Sequence, residues 1–332
     1  MTARPPASPV PPLPRPPVAP GGGGWRRTPP AIFPAILGLW GLGLGWRAAG
    51  EAAGFGPAPG EVILGAVFLL WLGALVAYGA KVARRPGVLA EEVRVLPGQS
   101  GLAALGMATM AGAGGVLPHA PGIGAAMLVA GFVAHVALAV GMARRLLAAP
   151  PEGRAFSPVW HMIFVGPILA VAPAAALGFG LAAAAILAVT LANAVVLWLA
   201  GGRALARARP PGPLRPTLAI HLAPASLAVI GALSVGAGWL VPVAAVWTLG
   251  LLVALLASAR WLTAAGFSPM WGAFTFPLAA AARALIEAGG AFAVAGALAL
   301  ALATLIVPWI ALRILRMWAD GTLAERTNAA TA

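Results

Sequence analysis

Four histidines (119, 135, 161 and 221) and eight carboxylates are the side chains of this sequence best suited to acid–base chemistry or metal binding. Their spacing favours neither. No His-x3-His pair suggests zinc, and the absence of cysteine removes thiolate chemistry, disulfides and thiolate metal sites. No His/Asp/Glu cluster or Ser–His pairing supports catalysis. The run Gly21 to Gly24 follows no strand and precedes no Lys-Ser/Thr pair, so it is no phosphate-binding loop. The chain therefore reads as a non-enzyme with no cofactor and no metal.

A different kind of chemistry is suggested by AFTFPLAA at 273–280, where Phe274, Thr275, Phe276 and Pro277 stand together in an alanine-rich helix. Proline inside a helix removes a donor and clashes with the preceding turn, at a cost of roughly 3 kcal/mol in water. Such a cluster implies a packing kink or a site. Arg283 and Glu287 follow one turn apart toward the far end of the same segment. They are either an interfacial i,i+4 pair or a positive feature at an anion mouth. His161 and His221 lie near the starts of their helices, where a vestibule would be, and His135 is the one histidine at mid-span. Glutamates 51, 61, 91, 92, 152, 287 and 325 avoid span centres, and Asp320 lies near the C-terminus. A proton-coupled carrier needs a titratable relay at depth, which this distribution disfavours.

These residues must be positioned by membrane helices. Of 332 residues 61% are hydrophobic and 9% charged, with mean hydropathy +0.94, against about 25% charged in a soluble domain. The apolar runs do not alternate as an outer-membrane barrel requires. The expected class is all-α integral membrane. Residues 1–29 read as a Pro/Gly-rich cytoplasmic tail rather than a signal peptide, 30–318 as the membrane domain and 319–332 as a cytoplasmic C-terminal tail. Ten stretches suit a span, near 30–48, 58–82, 97–117, 121–143, 157–179, 181–201, 215–237, 239–259, 268–290 and 292–316. All basic residues but Arg47 and Arg283 fall in the tails and in alternate loops, Lys81, Arg84, Arg85 and Arg94 among them. The positive-inside rule then puts both termini in the cytoplasm of a plasma (inner) membrane protein. The net charge of +13 thus reports topology and not a nucleic-acid partner.

The spans are not alike. Pro34 and Gly38 mark the first, Gly106, Gly112 and Gly114 the third, Pro167 and Pro173 the fifth, Pro224 the seventh and Pro277 the ninth, whereas among even spans only Pro308 lies well inside. Helix breakers are tolerated where neighbours or a cavity satisfy the freed carbonyls, so the odd spans are expected inside and the even ones against lipid. FSPVW at 156–160 and FSPMW at 267–271 repeat one helix start, with Ser to cap and Pro in the first turn.

LRPTLAIHLAPASLAVIGAL at 214–233, with Pro224 and Ser226 at its centre, resembles the seventh helix of the tellurite-resistance/dicarboxylate transporter family, which includes the plant slow-type anion channels. AFTFPLAA is similar to that family's ninth-helix motif, and LGLWGLGLGW at 37–46 to its first helix. The resemblance, over about 30 to 318, implies five helical hairpins around a quasi-fivefold central pore formed by odd helices. It also implies a homotrimer with one pore per protomer and a phenylalanine that occludes it, here Phe276. Phe33, Pro34, Gly38, Phe164, Pro167, Pro224, Ser226, Phe274, Thr275 and Pro277 would line or kink that pore, with His161, His221 and Arg283 in its vestibules. The chain departs from the family at Gly272, where a second tryptophan often follows Trp271, and at Pro34 behind Phe33. Its tail offers only Thr2, Ser8 and Thr28 for the phosphorylation that switches plant members.

The function expected is a channel for small monovalent anions, with the lipid bilayer and small inorganic or organic anions as partners. The alternative is a carrier of oxyanions or C4-dicarboxylates such as tellurite, sulfite or malate, proton-coupled through His135 or His221.

Overall fold

The computed structural model describes residues 25–150 and 154–332; most of the expected N-terminal tail lies outside the described residues. Among these residues the fold is helical throughout, with no strand. After a 3-10 turn at Pro30–Ile32 come α1 (Phe33–Ala53), α2 (Ala58–Arg84), the short α3 (Val88–Glu92), α4 (Leu96–Val116) and α5 (Pro121–Ala148). The fifth expected span is broken into α6 (Val159–Phe164), a 3-10 stretch (Gly166–Ala170) and α7 (Val171–Ala176). Then follow α8 (Gly180–Arg207), a 3-10 stretch at Gly212–His221 leading into α9 (Leu222–Ser234), α10 (Leu240–Ala257) and the single turn α11 (Ala259–Leu262). The chain closes with a 3-10 turn (Pro269–Trp271), α12 (Gly272–Ala288), α13 (Gly290–Ala319) and α14 (Thr322–Arg326).

Seven of these helical stretches are long and apolar enough to cross a membrane. Three expected spans differ. Glycine, Gln99, Ser100 and Thr109 dilute the hydropathy of α4, the fifth segment is interrupted, and α12 has 17 residues. All three are odd segments that pack against protein, and a helix shielded from lipid needs less apolar surface. Burial follows the same division. In the most apolar stretch of each helix, 83% of the first segment and 78% of the seventh are buried, against 22 to 33% in α2, α5, α8, α10 and α13. The odd segments form the interior and the even ones the lipid-facing coat.

The break in the fifth segment shows how the interior tolerates irregular backbone. Pro167 has no N–H for the carbonyl of Ile163, one helical turn earlier. His135 of α5, 1% exposed, donates from Nε2 to that carbonyl at 3.0 Å. Asn193 of α8 donates to the carbonyl of Phe164 at 3.3 Å. The even coat thus supplies the donors that the broken odd segment lost. Replacing His135 with leucine should therefore leave Ile163 unsatisfied and cost about 1–3 kcal/mol, readable as a lowered Tm of the detergent-solubilised protein.

At the basic-loop end the segment that precedes α1 is tied to the C-terminal residues. Lys81, expected in a loop, instead sits in the last turn of α2 with its side chain 0% exposed. Its Nζ lies 2.5 Å from Glu92 Oε1 and donates to the Thr28 carbonyl at 3.0 Å. Glu92 also accepts the backbone N–H of Ala330 at 3.1 Å, and Ala332 donates to the Arg26 carbonyl at 3.0 Å. The C-terminal residues expected as a tail are therefore docked, with Leu323, Ala324 and Thr327 buried.

Candidate functional site

The site is built from backbone irregularity on one axis. The two FSP-x-W starts have like aromatic geometry: Phe156 packs on Trp160 at 5.8 Å and Phe267 on Trp271 at 5.5 Å between ring centroids. Beyond each start the chain runs toward a proline, Pro167 or Pro277. In α12, Pro277 follows Phe276, and the hydroxyl of Thr275, fully buried, lies 2.8 Å from the Gly272 carbonyl and 3.1 Å from the Pro34 carbonyl of α1. That contact brings α1 against α12 at Gly38, where a Cβ would lie 2.3 Å from Thr275. One turn on, the Phe276 ring lies 3.0 Å from where a Cβ on Gly41 would stand. The glycines of LGLWGLGLGW let the two helices approach until the phenylalanine is held.

Two cavities lie along this axis. The one at the basic-loop end has a volume of about 50 Å³ and is walled by Ala31, Pro34 and Leu37 of the first segment, and Ser100 and Met107 of the third. The fifth adds His161, Val165 and Ile168 among others, the seventh Thr217, Ile220, Pro224 and Leu227, the ninth Met270, Ala273, Phe276 and Pro277. The second cavity, about 240 Å³, opens at the opposite end, where Arg47, Glu51, Pro118, Pro173, Arg283 and Glu287 stand. Every lining residue of both cavities comes from an odd segment, except Leu117 and Pro118 in the turn after α4. Ile168 and Leu227 line both and so stand between them. Phe276, 5% exposed, closes in on the basic-end side.

The charge on this path is muted. The hydroxyls of Ser100 and Thr217 donate to carbonyls of their own segments, Pro97 and Leu214. Arg47 is clamped by both oxygens of Glu61, at 2.6 and 3.0 Å, and by the carbonyls of Gly114 and Gly115. Arg283 holds Glu287 at 2.7 Å. The two cavities thus present largely apolar walls, and the two arginines of the second are each held by a carboxylate.

A model of the voltage-dependent anion channel (SLAC1) family matches residues 27–317. The chain belongs to the voltage-dependent anion channel family. No curated protein matches it. The family consists of anion channels and transporters of the tellurite-resistance/dicarboxylate group, membrane proteins rather than enzymes.

Within this family member the residues singled out by sequence separate into groups. Pro34, His161, Pro224, Phe276 and Pro277 line the basic-end cavity and Arg283 the opposite one. The others stand off the axis. Phe33 is turned onto Tyr78 of α2 at 5.9 Å, and Phe164 onto Trp160 at 6.5 Å. Ser226 is spent on the Leu222 carbonyl at 2.9 Å. Gly38 and Thr275 form the α1–α12 contact, and Pro167 lies at the break of the fifth segment. Phe274 faces a peripheral groove between α10, α12 and α13, while His221 stacks on Phe156 and lies 4.7 Å from His161. Leu37, Met107, Ile168 and Leu227 line the path without having been singled out, because an aliphatic residue carries no local mark of facing a void. Arg47 had a usable mark, being one of two cations outside the basic loops.

Proposed function

We propose that this chain is a passive channel for small monovalent anions, occluded by Phe276. The supporting observation is the pair of cavities walled almost wholly by odd segments, which meet at Ile168 and Leu227, with Phe276 lining the basic-end one. In this reading ten segments cross the membrane as five hairpins, three of them short or diluted because they touch protein. The basic loops face the cytoplasm, so the Phe276 side is the cytoplasmic vestibule. A homotrimer with one pore per protomer comes from the family resemblance.

The chemistry follows from the muted charge. With its arginines and hydroxyls engaged, the path binds an anion weakly, and weak sites suit conduction because the ion must leave as well as arrive. Selectivity then follows the cost of dehydration, favouring nitrate over chloride. The family's carrier members remain the second reading, but His135 is committed to the Ile163 carbonyl, which leaves no free proton relay on that helix. Reconstituted protein carrying Phe276→Ala should give a nitrate-shifted reversal potential under nitrate/chloride gradients and no dependence on a proton gradient. Saturable uptake driven only by a proton gradient would reject the channel.

A further inference from the structure

A third cavity lies off the axis, and the channel reading does not use it. It is a groove of about 140 Å³ between α10 and α13, floored by α9 and the back of α12. Its walls are apolar, among them Leu252, Leu256, Ile306, Ile310, Phe274 and Pro277. Leu252 to Ala259 on one wall and Leu302 to Ile310 on the other cover about 10–12 Å at helical rise, close to the ~15 Å hydrocarbon depth of one leaflet. The groove begins at the basic-loop end, and its rim reaches the exposed apolar coat: Leu256 is 49% exposed.

Three cations neighbour the lining residues in the chain. Arg260 is on α11, whose Ala259 and Leu262 line the groove, and Arg313 and Arg316 follow Ile310 on α13. The Arg313 guanidinium lies over the rings of Phe267 and Trp309, at 4.4 and 4.9 Å, and among the described residues none of the three arginines forms an ion pair. No carboxylate occurs on α10, α11 or α13. The counter-charge must come from outside these helices.

We propose that this groove binds one anionic phospholipid, its acyl chain against Phe274 and Pro277 and its phosphate over Arg260 and Arg313. An apolar slot of leaflet depth below unpaired guanidinium groups matches both halves of such a molecule. A second copy of the chain is the other occupant to consider. Seating one there would bury three unpaired cations against helices that carry no acid. Pro277 lines the groove and the basic-end cavity alike, so the lipid touches the reverse of the occluding segment. The site stands on its own geometry and does not require the channel reading.

The test is native mass spectrometry of delipidated full-length protein with added phosphatidylglycerol or phosphatidylcholine of identical chains. One phosphatidylglycerol per chain should be retained, roughly tenfold more tightly than phosphatidylcholine, a ratio equivalent to ~1.4 kcal/mol. Arg260→Gln with Arg313→Gln should erase the preference. Leu256→Trp, on an exposed position, should fill the slot and reduce retention of both lipids. Equal retention of the two lipids, or indifference to both variants, overturns the proposal. So does efficient disulfide formation between copies carrying Leu256→Cys in a protein with no native cysteine, which would assign the groove to a second copy.

Discussion

Replacing Phe276 with alanine is expected to raise nitrate flux through reconstituted protein at least about tenfold, equivalent to removing ~1.4 kcal/mol from the barrier. The ring is 5% exposed and lines the basic-end cavity, whose boundary with the second is marked by Ile168 and Leu227. It is held from behind by α1, whose Gly41 has no Cβ to displace it, and by Pro277 and the Thr275 contact to Pro34 on either side. Truncation removes the ring without requiring any movement of α1 or α12. A Phe→Ala change in a close-packed core costs about 3–5 kcal/mol. Here the ring borders an existing void, so the loss should be smaller and the protein should still elute as a single species in gel filtration. An intact but silent variant would remove Phe276 from the gate and return it to packing.

The second large effect concerns stability. Lys81→Met should destabilise the fold by about 3–5 kcal/mol, because breaking a buried ion pair leaves its partner charge uncompensated. Both side chains are at most 1% exposed, and without the ammonium Glu92 keeps only the Ala330 N–H. The Thr28 carbonyl loses its donor at the same time. The double variant Lys81→Met with Glu92→Leu should recover most of the loss, since replacing a buried pair by apolar residues is often neutral. Thermal unfolding of the detergent-solubilised single and double variants gives the comparison. A single variant as stable as the parent would mean that this end of the molecule is wet. The pair has a functional bearing: Thr28 precedes the turn at Pro30–Ile32, and Ala31 lines the basic-end cavity. The latch that joins the segment before α1 to the C-terminal residues therefore also fixes one wall of the basic-end cavity.

The inner and outer rings were legible because they follow from composition. Prolines and close-packing glycines concentrate in odd segments, and the structure buries those segments while exposing α2, α5, α8, α10 and α13. The Phe276–Pro277 element was legible because a proline beside aromatics breaks an otherwise uniform pattern. Single residues fared less evenly. Phe274 and Phe276 are two positions apart, roughly 200° around a helix, so one had to face away from the axis, and local pattern does not say which. Phe33 and Ser226 carried types that suit a pore, yet Tyr78 and the Leu222 carbonyl engage them.

By itself the sequence determined the class, the alternation of basic loops, the division of helices into two kinds and the family. Each is written in residue type and period, which every homologous fold must respect. The tertiary structure alone decided which atoms meet. It assigned His135 to the carbonyl that Pro167 abandons, buried Lys81 against Glu92 across α2 and α3, and paired Arg47 with Glu61. It also brought Gly38 and Gly41 of α1 against Thr275 and Phe276 of α12, more than two hundred residues later. Such contacts depend on the rotation and approach of packed helices. In an alanine-rich chain many rotations share nearly the same hydropathy, so only the packed fold selects one.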